Sequence, residues 1–154
     1  MSLRRQPLLA AVAAVVAVAL PVASGSAEPL IPYDIVGDAI PEPLGKLAGD
    51  PARGRTLVLD RSVGNCLICH KAPEPGERFM GELGPDLTGV GRRLSPGQIR
   101  LRLVDQSSLN AKTLMPPYYR VDGLTRVAQR YRGKPVLDPQ QVEDVVAYLT
   151  SLKD

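Results

Sequence analysis

Hydrophobic and polar positions fall into distinct regimes along this chain. From Leu8 to Leu20 a run of 13 residues is uncharged and apolar, preceded by Arg4 and Arg5 and followed by Gly25-Ser26-Ala27. A basic start, a short apolar stretch and a small-x-small site make residues 1–27 a secretory signal peptide, cleaved before Glu28. A membrane span needs about 20 apolar residues, so a retained anchor is the weaker alternative. Arg4-Arg5 alone is too bare a pair for a twin-arginine signal. From 28 to 48, prolines at 29, 32, 41 and 43 interrupt Leu30, Ile31, Ile35, Val36, Ile40 and Leu44. That density excludes helix and central strand and predicts an extended arm. The apolar side chains of the arm must lie on something, either its own domain or a partner.

Beyond the arm the apolar period becomes helical. Asp50-Pro51 is a start signal, with Asp as cap and Pro at the first position, and predicts a helix from Ala52 to about Asp60. Gly54 would let a neighbouring helix approach closely. Ser95-Pro96-Gly97-Gln98 is a capping box with proline, opening a helix with Ile99, Leu103 and Val104 on one face. Asp138-Pro139-Gln140-Gln141 repeats the signal, and Val142, Val145, Val146, Leu149 and Leu152 follow at helical spacing. No alternating strand pattern or internal repeat stands out. Residues 49–154 are therefore expected to form one mainly α domain with long loops.

Charge removes one class of partner. Without Arg4 and Arg5 the 19 basic side chains fall to 17, against 16 acidic ones, leaving a net of +1 on residues 28–154. No nucleic-acid footprint remains. Five Tyr, one Phe and no Trp leave the domain short of large core side chains for its length.

Cys66-Leu67-Ile68-Cys69-His70 supplies a body to fill that core. Two cysteines three apart with histidine next form the attachment signature of a c-type haem. Each thiol adds to one vinyl group, and a helical turn brings His70 under the iron as proximal ligand. Zinc needs about four ligands, and the chain offers two Cys and one His in all. A thioredoxin-like pair would sit in a βαβ pattern, which is absent here. A plain disulfide would leave the adjoining histidine unexplained.

His70 is the sole histidine, so a second imidazole cannot come from this chain. Met115, followed by Pro116-Pro117, is the expected sixth ligand, because the two prolines stiffen the strap that carries it. Met80, ten residues beyond His70, is the alternative. In Gly84-Pro85-Asp86-Leu87 the Pro85 carbonyl is free to accept the other ring N–H of His70. Arg92, Arg93, Tyr118, Tyr119 and Arg120 are candidates for the haem propionates, with one of Arg92 and Arg93 preferred.

Haem motif, Gly-Pro-x-Leu turn, Met-Pro strap and final amphipathic helix resemble, in that order, a class I c-type cytochrome. The resemblance narrows with Ile40-Pro41-Glu42-Pro43-Leu44, Gly64-Asn65-Cys66, Gly84 to Arg92, Asn110 to Pro116 and Val142 to Leu149. Together these segments resemble the SoxX family, the monohaem subunit of periplasmic SoxAX complexes. Gly54 lies twelve residues before Cys66, a longer connection than in small mitochondrial-type cytochromes, which favours the same family. The resemblance implies a class I cytochrome c fold wrapped around one covalently bound haem c. It also implies a SoxA-like haem subunit as heterodimer partner, a SoxYZ-like carrier protein and a soluble cytochrome as electron acceptor. In such a complex, an L-cysteine S-thiosulfotransferase, thiosulfate is joined oxidatively to a carrier cysteine and this chain takes up the electrons.

The residues agree with a carrier rather than a catalyst. Iron closed by His70 and Met115 has no open position for a gas ligand, and Met/His ligation raises the reduction potential. Both cysteines are consumed by haem, and no nucleophile–base pair is left. A freestanding periplasmic electron carrier fits the haem motif equally and is the alternative. A gas sensor would require a labile sixth ligand.

Overall fold

A computed structural model describes residues 30–154. The expected signal peptide, residues 1–27, lies outside the described residues. Four α-helices organise the rest: α1 (Pro51–Leu59), α2 (Val90–Arg93), α3 (Pro96–Asp105) and α4 (Pro139–Ser151). The three longer ones begin where the start signals stand. Asp50 accepts from the Ala52 and Arg53 N–H groups at 2.8 and 2.9 Å. Ser95 with Gln98, and Asp138 with Gln141, form reciprocal capping boxes, and each helix carries proline in its first turn. The short α2 was not foreseen. It has no side-chain cap and starts after Gly89 in the left-handed region, so no local signal announces it. No strand occurs among the described residues, only an isolated antiparallel bridge between Val36 and Ala39.

The molecule is built on the crossing of α1 and α4. Gly54 makes the crossing possible: a Cβ there would lie 1.9 Å from the Asp144 carbonyl oxygen. At the crossing, Arg53 Nε donates to Asp144 Oδ2 at 2.7 Å, and the Asp50 N–H donates to Oδ1 at 2.7 Å. The apolar face of α4 (Val142, Val145, Val146, Leu149) is buried against Leu101 and Val104 of α3, Val58 of α1, and Leu67. Leu152, past the helix end, is only partly buried. Burial of each such side chain contributes about 1.5–3 kcal/mol.

The arm is satisfied largely within the chain. Ile40 and Leu44 are buried in the core, and Leu30 and Tyr33 pack at its edge. The Ile31 N–H donates to Tyr119 Oη at 2.8 Å, and the Ile40 N–H to the Gly97 carbonyl at 3.0 Å. A buried ion pair locks the junction: Arg100 Nε donates to Glu143 Oε1 at 2.7 Å and Nη2 to Oε2 at 2.8 Å. Arg100 Nη1 also donates to the Ile40 carbonyl at 2.7 Å, and Glu143 Oε1 accepts from the Leu44 N–H at 2.9 Å. Removing one partner of such a pair costs about 3–5 kcal/mol, because the other charge stays buried and unpaired. The arm is not extended throughout, since a 3-10 turn spans Leu44–Lys46. Ile35 and Val36, flanking the bridged turn, remain exposed.

Candidate functional site

The packed helices and the loops between them enclose a cavity of about 940 Å³. That is near the upper end of the range for ligand and cofactor pockets. Its walls come from elements far apart in sequence: Ile99 and Leu103 of α3, Val145 and Leu149 of α4, the segment 61–70, the turn 83–87 and the strap 112–118.

On one side the chain turns at Asn65, whose φ of 48° is left-handed, into a 3-10 turn over Cys66–Ile68. The His70 N–H donates to the Cys66 carbonyl at 3.0 Å, closing the turn. Cys66, Cys69 and His70 all line the cavity, and both cysteines are free thiols. Burial pushes the Cys66 thiol up to about 11, as expected of a sulfur set against an apolar wall.

A second loop runs beside the first. The Gly81 N–H donates to the Leu67 carbonyl at 2.8 Å, Gly84 to Cys69 at 2.7 Å and Leu87 to Lys71 at 2.9 Å. This pairing brings the Pro85 carbonyl to 2.7 Å from His70 Nδ1. With Nδ1 donating to that carbonyl, the ring is held in one tautomer and Nε2 is left as the metal-binding nitrogen. Gly84 packs flat on the imidazole, where a Cβ would stand 2.4 Å from His70 Cε1. This close approach was not visible in the sequence, although Gly84 stood in the singled-out turn.

The strap brings Met115 to the same cavity. Met80 does not line it; its thioether accepts from the Ala72 N–H at 3.3 Å. Of the propionate candidates, Arg93 and Tyr118 line the cavity and Arg92, Tyr119 and Arg120 do not. Arg93 Nη2 donates to the Asp86 carbonyl at 2.6 Å and Nη1 to that of Thr88. Tyr119 Oη is occupied by the arm, and Arg120 Nη1 pairs with Asp105 Oδ2 at 2.7 Å. Arg61, Arg102, Lys112 and Arg130 line the cavity and were not foreseen. Only Arg102 carried a signal: it stands three residues after Ile99 and beside Leu103, on the helix face that borders the cavity.

The residues present fit a covalently attached haem. The lining is mainly apolar, two thiols and an imidazole stand on one turn, the imidazole is oriented by a carbonyl, and a thioether reaches the same space.

Comparisons with known proteins bear on the same point. The Cytochrome c family model matches residues 51–153. A search of curated proteins found no match. Among solved structures, the chain is similar to a chain in the crystal structure of SoxXA from P. pantotrophus. The identity is 33%, the match covers 79% of this chain and 95% of that one, and the TM-score is 0.73. The fold is thus that of a class I cytochrome c, mainly helical around a cofactor cavity. This chain belongs to the cytochrome c family, as a SoxX-type electron carrier with one covalently bound haem c.

Proposed function

We propose that this cytochrome is the electron-accepting subunit of a periplasmic SoxAX-type thiosulfotransferase. A SoxA-like partner subunit would join thiosulfate to a cysteine of a SoxYZ-like carrier. Each sulfur–sulfur bond formed there releases two electrons, which this chain accepts one at a time and hands to a soluble cytochrome. The chain itself is not catalytic. One observation carries the reading: the likeness to a chain of the SoxXA crystal structure at 33% identity over 95% of that chain. Residues 1–27 are the export signal on this reading, removed before the protein works in the periplasm.

Within the site we assign Cys66 and Cys69 to the two thioether bonds, His70 to the proximal position and Met115 to the sixth. Bound haem iron supplies the one-electron redox chemistry. The Pro85 carbonyl fixes the imidazole, and Ile99, Leu103, Val145 and Leu149 give the cavity an apolar wall. A thioether ligand and an apolar wall both raise the reduction potential, as an electron acceptor requires. Arg93 is the residue assigned to a propionate, supported by its place on the cavity wall. Met115 is favoured over Met80 because Met80 is held on Ala72, outside that wall.

A freestanding carrier is the rival reading, and one observation favours it. The arm buries Ile40 and Leu44 on its own core and so needs no partner to cover them. Isolation of the native protein separates the two. We expect a second haem polypeptide to co-purify and thiosulfate with carrier to reduce this haem; a lone monomer indifferent to thiosulfate would overturn the proposal. The ligand assignment is checked separately: Met115→Ala should abolish the sulfur–iron absorption band and Met80→Ala should leave it.

A further inference from the structure

We infer that Tyr118 is a positioning residue for the sixth ligand: its phenol ties the strap carrying Met115 to the segment carrying Cys66. The inference rests on the assignment of Met115 to the iron. The Tyr118 hydroxyl donates to the Gly64 carbonyl at 2.8 Å, a buried bond between residues 54 apart in sequence. Its backbone is anchored as well, the N–H donating to the Leu103 carbonyl at 3.0 Å and the carbonyl accepting from the Leu137 N–H at 3.0 Å.

The tether has stiff ends. Between Met115 and Tyr118 stand only Pro116 and Pro117, whose rings fix φ, so the backbone that carries the thioether is stiffly joined to the residue that carries the phenol. At the other end, Gly64 is wedged in place. A Cβ there would meet the Leu57 carbonyl oxygen at 2.6 Å and Cys66 Sγ at 3.2 Å. On its leading side the strap is held weakly. The Met115 N–H donates to Thr113 Oγ1 at 3.1 Å within the strap itself, and Leu114 is 75% exposed. The phenol bond is therefore what joins the Met115 strap to the attachment turn.

An external ligand can reach the iron only when Met115 has left, so its apparent affinity scales with the fraction of molecules whose strap is open. Deleting a buried hydrogen bond that exists only in the closed state raises that fraction by about tenfold.

The test is a titration of the ferric holoprotein with imidazole, read at the sulfur–iron band. In Tyr118→Phe the band should be present without imidazole, and half-displacement should need about tenfold less imidazole than in the unaltered protein. Tyr148→Phe is the control. Its hydroxyl donates to Glu74 at 2.6 Å, away from the cavity, so it should lower stability and leave the imidazole titration unchanged. A Tyr118→Phe protein that titrates like the unaltered one, or an equal shift in both variants, would overturn the inference. The unaltered protein offers a reading that needs no variant. The Tyr118 hydroxyl proton should exchange slowly with Met115 bound and fast once imidazole has displaced it; an exchange rate indifferent to imidazole overturns the tether. An unaltered protein without the sulfur–iron band, or with one that survives Met115→Ala, overturns the ligand assignment itself and the tether with it.

Discussion

At the scale of single residues, the imidazole of His70 is held from two directions. The Pro85 carbonyl accepts a hydrogen bond from its Nδ1–H, and Gly84 supports its flat face. The contact with Gly84 is the more vulnerable, because a methyl group 2.4 Å from Cε1 must push either the ring or the loop. Gly84→Ala is expected to cost about 1–3 kcal/mol and to disturb the axial bond. Denaturant unfolding measures the first effect, and loss of low-spin character in the absorption spectrum the second. The two cysteines and the histidine were legible because covalent attachment demands a fixed local spacing. The glycine contact and the cavity-facing arginines were not, since each depends on which segment the fold lays beside which.

The elements are joined by polar side chains at their crossings. Besides Arg100–Glu143, the loop after the haem motif is clamped by Glu74, which is buried. It accepts from Arg55 of α1 at 2.8 and 2.5 Å and from Tyr148 of α4 at 2.6 Å. The Arg55 guanidinium, foremost, and the Tyr148 hydroxyl hold the Glu74 carboxyl below its ordinary value of 4.5. A carboxylate lowered on folding contributes stability that is complete above the ordinary value and is lost as pH falls through the folded one. The denaturation midpoint should therefore fall on acidification below about pH 4.5, and Glu74→Gln should show a smaller fall. Equal acid sensitivity in the two proteins would mean that this clamp carries none of it. The helices themselves were readable from caps, prolines and apolar spacing, all of which act within a turn or two. The clamp joins residues 19 and 74 apart, and no local pattern encodes such a pairing.

For the whole molecule, the cavity lies against the packed core and shares walls with it. The described chain surrounds about 940 Å³ of mainly apolar wall, and the cofactor supplies the volume that the aromatic side chains do not. Folding and cofactor attachment are therefore coupled, as for any group bound by the native state alone. A Cys66→Ser, Cys69→Ser protein, unable to hold haem covalently, should lose cooperative unfolding and much of its helical circular dichroism. Native-like helicity and a sharp transition in that variant would show that the polypeptide closes the core unaided.

By itself the sequence determined the cofactor chemistry, the three capped helices and the glycine where the first of them crosses the last. Each of these is written in residues that lie close together along the chain and act through covalent geometry, backbone dihedrals or short-range hydrogen bonds. Only the tertiary structure decided that the arm folds back on its own core and that Met80 is turned away from the cavity onto the Ala72 N–H. The same holds for the phenol of Tyr118 reaching a carbonyl 54 residues away. Those outcomes turn on which surfaces compete for burial once the helices have crossed, and that competition is settled in space rather than along the chain.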